Sequence, residues 1–77
     1  MKLKYVVFDN NEFVIFPPSM VHADVTQNRN VVGAGFCNFA RKADSDEANC
    51  HCWGESISLG VESREEDEDI INRALAF

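Results

Sequence analysis

The stretch Gly60–Phe77 reads GVESREEDEDIINRALAF, and its interpretation sets the architecture of the 77-residue chain. Ser63 followed three residues later by Glu66 is the pattern of a capping box, in which each side chain takes up a free backbone N–H at a helix start. Glu65, Glu66, Asp67, Glu68 and Asp69 then fill the first turns, where the positive end of the helix dipole favours acids. Ile70, Ile71, Ala74 and Leu75 make a narrow apolar stripe that needs a sheet or a partner to cover it. One helix is therefore predicted to carry both an anchor to the core and the densest charge in the chain.

Immediately upstream, His51–Leu59 alternates, with Trp53, Ile57 and Leu59 on one side, and reads as a strand bulged at Gly54. Glu55 shares the Trp53 face. Turned inward it would need Arg29, Arg41, Lys42 or Arg73 as a partner, whereas on an edge strand it would face water. Arg41–Asn49 is polar and without an apolar period, which predicts an exposed, mobile loop. Val31–Phe39 is a third strand, with Val32, Ala34 and Phe36 on one face and Gly33, Gly35 and Cys37 on the other.

Towards the start, Lys2–Phe8 alternates in β-forming residues, Asp9–Glu12 has turn chemistry, and Phe13–Phe16 resumes as strand. Residues 2–16 thus read as a hairpin. Pro17 and Pro18 stop the second strand because neither can donate to a ladder. Ser19 is then a candidate N-cap for a short helix through Met20, Val21, Ala23 and Val25, ending near Asn28. The mediocre helix formers Val21, Val25 and Thr26 leave a loop with an isolated turn as the alternative.

The element order is β-β-α-β-β-α. It predicts one small α+β domain: a four-stranded, mainly antiparallel sheet with both helices on one face. Strands one and three carry apolar residues on both faces, so the open side is expected to present an apolar patch covered by a second copy, as in a homodimer, or by a partner.

Net charge is −6. Residues 1–49 hold five Lys/Arg against six Asp/Glu (−1), and residues 50–77 hold two against seven (−5). An acidic half of this kind repels phosphate backbones and attracts basic protein surfaces, which disfavours direct nucleic-acid binding. No stretch reaches the roughly 18 apolar residues of a membrane span, and the opening residues lack the apolar run of a signal peptide. With an odd number of cysteines (Cys37, Cys50, Cys52), reduced thiols and a cytoplasmic location are expected.

Those cysteines with His22 or His51 are candidate zinc ligands. Cys50-x-Cys52 is nevertheless one residue tighter than a zinc knuckle, so the thiols read as small packing residues. Cys37 or Cys50 with His22 could form a nucleophile–base pair, but no Asn or Asp at a suitable spacing orients the histidine. Gly33-Ala34-Gly35 lacks the third small residue and the following helix of a dinucleotide fingerprint; glycine there more simply gives a bulge or room for the Trp53 ring. No catalytic residue, metal or cofactor is assigned, and the chain does not read as an enzyme.

The acidic helix start is the leading functional candidate. Glu62, Glu66 and Asp69 fall on one ridge, with Glu65 and Glu68 flanking it, since residues three and four apart adjoin on a helix. A solvated helix face is the plainer reading of the same pattern. The expected partner-binding set is Glu62, Glu65, Glu66, Asp67, Glu68 and Asp69, with Trp53 as an apolar anchor on a basic protein partner. The alternative is a small-ligand, nucleotide-type binder or sponge at an oligomer interface, with Gly33–Phe36 and Trp53 near the pocket.

By length, acidity, element order and the Glu62–Asp69 segment, the chain resembles the small acidic anti-defence proteins that phages encode, of the anti-CRISPR type. The resemblance implies an inhibitor whose target is a nucleic-acid-binding defence complex.

Overall fold

The computed structural model describes residues 2–26, 28–41 and 48–75. Strands β1 (Leu3–Phe8) and β2 (Phe13–Phe16) form the expected hairpin, with Lys4 opposite Phe16 and Val7 opposite Phe13. Its turn uses Asn11 in the left-handed region (φ 67°), a conformation asparagine tolerates. Strand β3 (Val31–Arg41) pairs antiparallel with β1, and β4 (Ala48–Trp53) pairs antiparallel with β3, giving the sheet order β2-β1-β3-β4.

The predicted fourth strand does not run on to Leu59. Gly54 adopts φ +81°, which breaks the ladder after Trp53. The chain then forms a second, two-stranded sheet from β5 (Glu55–Ser56) and β6 (Val61–Glu62). Helix α1 (Glu65–Leu75) follows. Arg41, Ala48 and Asn49, placed by sequence in a loop, belong to β3 and β4; residues 42–47, the rest of that loop, lie outside the described residues.

There is one α-helix among the described residues, not two. The segment expected to be a helix around residues 20–28 is a single 3-10 turn, His22–Val25. Its N-cap is Val21, with no side-chain hydrogen bond, in place of Ser19. With weak helix formers and no cap, the costly first turn is not propagated.

The two elements also cover opposite faces of the sheet. On one face Ile71 of α1 is buried with Tyr5, Val7, Cys37, Cys50 and Cys52. On the other, Val6, Phe8, Phe16 and Ala34 are buried beneath Val25 of the 3-10 turn, Leu59 of the β5–β6 turn and Val61 of β6. The alternating strands, apolar on both sides, are thus matched by two covering layers. Among the described residues, the open apolar face expected from the sequence is therefore covered from within the chain.

Candidate interaction site

Asp67 does not belong to the surface on which sequence alone placed it. It is fully buried, against the underside of α1's first turn. Its Oδ2 accepts from the Tyr5 hydroxyl (2.6 Å) and the Arg64 backbone N–H (2.9 Å), and its Oδ1 accepts from Arg64 Nε (3.0 Å) and Nη2 (2.8 Å). The back-bond from residue 67 to the N–H of residue 64 is half of a capping box, displaced by one residue from the predicted Ser63–Glu66 pair. Ser63 Oγ instead lies 2.7 Å from Tyr5 Oη.

Two neighbours explain why a carboxylate can sit there. Gly33 of β3 lies directly below it, and a Cβ at that position would fall inside the carboxylate. Arg64 supplies the compensating charge, which a buried acid requires. Burial, reinforced by donation to Asp67, pushes the Tyr5 phenol well above its usual range, so it remains a donor.

Glu68 is also engaged. Strand β4 is an edge of the main sheet, and α1 lies along it. Glu68 Oε1 accepts from the Cys52 N–H (2.7 Å) and lies 2.7 Å from His51 Nδ1. One turn on, Asn72 Oδ1 accepts from the Cys50 N–H (2.7 Å), while its Nδ2 donates to the Cys50 carbonyl (3.2 Å). Side chains at i and i+4 thus satisfy an edge that would otherwise invite another strand.

What remains of the predicted acidic set is narrower. Glu62, Glu65, Glu66 and Asp69 are exposed, and of these only Glu66 touches a cation among the described residues, Arg64 at 3.8 Å. Glu66 is 63% exposed, so this contact contributes little. Sequence reasoning missed a fifth member. Glu55 is exposed and stands directly opposite Glu62 in the β5–β6 pair, two like charges in a cross-strand position that costs stability. The signal was available only once Gly54 was recognised as the end of β4. Ile57, 88% exposed at the turn of the same hairpin, lines one depression with Glu55.

Trp53 is half-buried. Its ring stacks on His51 (centroids 5.6 Å apart) and tilts against Phe36 (6.3 Å). It borders a cleft of about 450 Å³ that also receives Ser63, Arg64, Glu65 and Glu68, so the structure brings Trp53 together with two of the predicted acids. The space above the glycines is taken by the protein itself: Asp67 over Gly33, and the Trp53 carbonyl over Gly35, where a Cβ would strike it.

The three cysteines are free thiols in one buried cluster, with Cys50 Sγ and Cys52 Sγ 3.8 Å apart. The Cys50 thiol is pulled down to about 4 by hydrogen bonds from Cys37 and Cys52, against the opposing effect of burial, with a smaller contribution from His51. The same bonds to Cys50, together with burial, push Cys37 and Cys52 up. His22 is separated from them by the sheet. It is buried on the opposite face, edge-on to Phe16, with Nε2 donating to the Gly35 carbonyl (2.8 Å). Among the described residues no three His, Cys, Asp or Glu side chains are arranged to hold a metal ion.

No family model, curated protein or solved structure matches this chain.

Proposed function

We propose that the protein is a non-enzymatic interaction module that docks an acidic surface onto a basic protein partner. The surface is formed by Glu55, Glu62, Glu65, Glu66 and Asp69, with Ile57 as its apolar anchor. The observation that carries this reading is the like-charge pair Glu55–Glu62. The fold supplies partners for Asp67 and Glu68 yet sets these two carboxylates opposite each other in the open. A basic surface relieves that repulsion on binding, and an acidic field speeds the encounter. Clustered carboxylates also imitate a run of phosphates, which favours the basic groove of a nucleic-acid-binding protein. A defence complex is the target class that the resemblance to phage anti-defence proteins supplies.

Trp53 is reassigned within this reading. Held between His51 and Phe36, it buttresses the cleft wall and is not the protruding anchor. The test is affinity capture from the source cell, followed by a salt titration of the recovered complex. The quadruple variant Glu62→Lys, Glu65→Lys, Glu66→Lys, Asp69→Lys is expected to lose the partner, and the wild-type affinity to fall steeply between low and high salt. Equal affinity for wild type and variant would refute the proposal.

A further inference from the structure

The geometry points to the three thiols beneath α1 as an oxidation site, at which hydrogen peroxide or a similar two-electron oxidant joins Cys37 to Cys52 across β3 and β4. These two residues are direct register partners. Opposed residues in an antiparallel pair have Cα atoms about 4.5–5.5 Å apart, inside the disulfide window of roughly 4.4–6.8 Å. The other pairings fit less well. Cys50 and Cys52 are two residues apart on one strand, about 6.4–6.8 Å between Cα atoms at the strand rise, with parallel side chains. Cys37 and Cys50 are diagonal neighbours whose thiols are hydrogen-bonded, but their Cα atoms are spaced for a diagonal pair at roughly 7–8 Å. The register therefore favours Cys37–Cys52 as the final bond.

Cys50 starts the chemistry. It is the thiol whose proton is most easily lost, because both neighbours donate to its sulfur. Its thiolate attacks one peroxide oxygen; an S–O bond forms, the O–O bond breaks, and hydroxide leaves as water with the thiol proton. The adjacent Cys52 sulfur, 3.8 Å away, displaces the sulfenic oxygen as a second water and closes a strained Cys50–Cys52 bond. Cys37 then attacks the Cys52 sulfur, and Cys50 departs as the thiol. In sum, two thiols and one peroxide give one disulfide and two waters. Cys52 borders the cleft beside Trp53 and Arg64, which brings a small oxidant up to the cluster; the Cys50 thiol, buried and outside the cleft lining, lies 3.8 Å from the Cys52 sulfur.

The test treats native protein with peroxide in excess, quenches with an alkylating agent under denaturing conditions, and reads intact mass and mapped peptides. A loss of about 2 Da is expected, with titratable thiols falling from three to one and the label on Cys50. Cys52→Ser abolishes the Cys37–Cys52 bond and Cys37→Ser halts the sequence at the strained Cys50–Cys52 bond, whereas Cys50→Ser still forms Cys37–Cys52 at least about tenfold more slowly. Three titratable thiols after treatment, or a wild-type disulfide that maps to any pair other than Cys37–Cys52, would overturn the assignment. An undiminished rate in Cys50→Ser would remove Cys50 from its initiating role. Each variant is first compared with wild type by circular dichroism, and oxidised wild type is returned to three thiols by dithiothreitol.

Discussion

Replacing Gly33 by alanine introduces one methyl group where Asp67 already sits. Either the methyl strains the strand, at the roughly 1–3 kcal/mol typical of overpacking, or it displaces the carboxylate and breaks a buried charge-assisted network, at roughly 3–5 kcal/mol. Arg64 is 29% exposed and can rehydrate, so a value near the middle, about 2–4 kcal/mol, is expected. Asp67→Ala removes four hydrogen-bond contacts but leaves Tyr5 its contact with Ser63, and should also cost about 2–4 kcal/mol. A domain of this size has roughly 4–12 kcal/mol in total, so either change is measurable and neither need unfold the chain. The informative variant is the double one. With the carboxylate gone, the new methyl has room, and Gly33→Ala/Asp67→Ala should be less destabilised than the sum by about 2–3 kcal/mol. Asp67→Asn keeps the bulk and should give no such relief. Urea unfolding followed by Trp53 fluorescence and circular dichroism measures all of these. Additivity of the double variant to within about 0.5 kcal/mol would show that Gly33 is not glycine on account of Asp67.

Stability should fall as pH rises above about 10: Tyr5 ionises there in the unfolded chain but is held protonated in the fold, so its contribution is complete below that pH and lost on the way to the raised folded value. Unfolding curves from pH 8 to 11 should show this, with a shallower decline in Tyr5→Phe. Glu68→Ala with Asn72→Ala strips the cover from the β4 edge; each change should cost about 1–2 kcal/mol, with faster hydrogen exchange at the Cys50 and Cys52 amides and concentration-dependent light scattering. Glu55→Lys converts the like-charge pair with Glu62 into an attractive one and should stabilise the fold by about 0.3–0.5 kcal/mol at low salt while weakening partner capture. Opposite signs in those two measurements separate a functional surface from a merely solubilising one.

The elements legible in the sequence were those with a strong period or unambiguous breakers. The 2–16 hairpin, the third strand and the terminal helix all appear where alternation, prolines and the apolar stripe placed them. The break at Gly54 was misread because a glycine inside an alternating run signals a bulge and a chain reversal equally well. The short helix failed where propensity was weak and its cap was absent. At the site, five consecutive acids concealed two different roles. Glu65, Glu66 and Asp69 face water, whereas Asp67 and Glu68 turn to Arg64, Tyr5 and the β4 amides. A run of one residue type carries no periodic contrast, so the helix's rotation about its axis had to come from Ile70 and Ile71 and from the strand beneath. Gly33 was the one clue to the inward acid, and its cause lies 34 residues away.

The Tyr5–Asp67 contact spans 62 residues of sequence. During synthesis the opening hairpin must therefore wait, with its phenol unclaimed, until the acidic run has cleared the ribosome. A chain that lacks the helix leaves the Tyr5 phenol and the buried face of the sheet around it uncovered, so the hairpin's polar group is satisfied only when the last element docks.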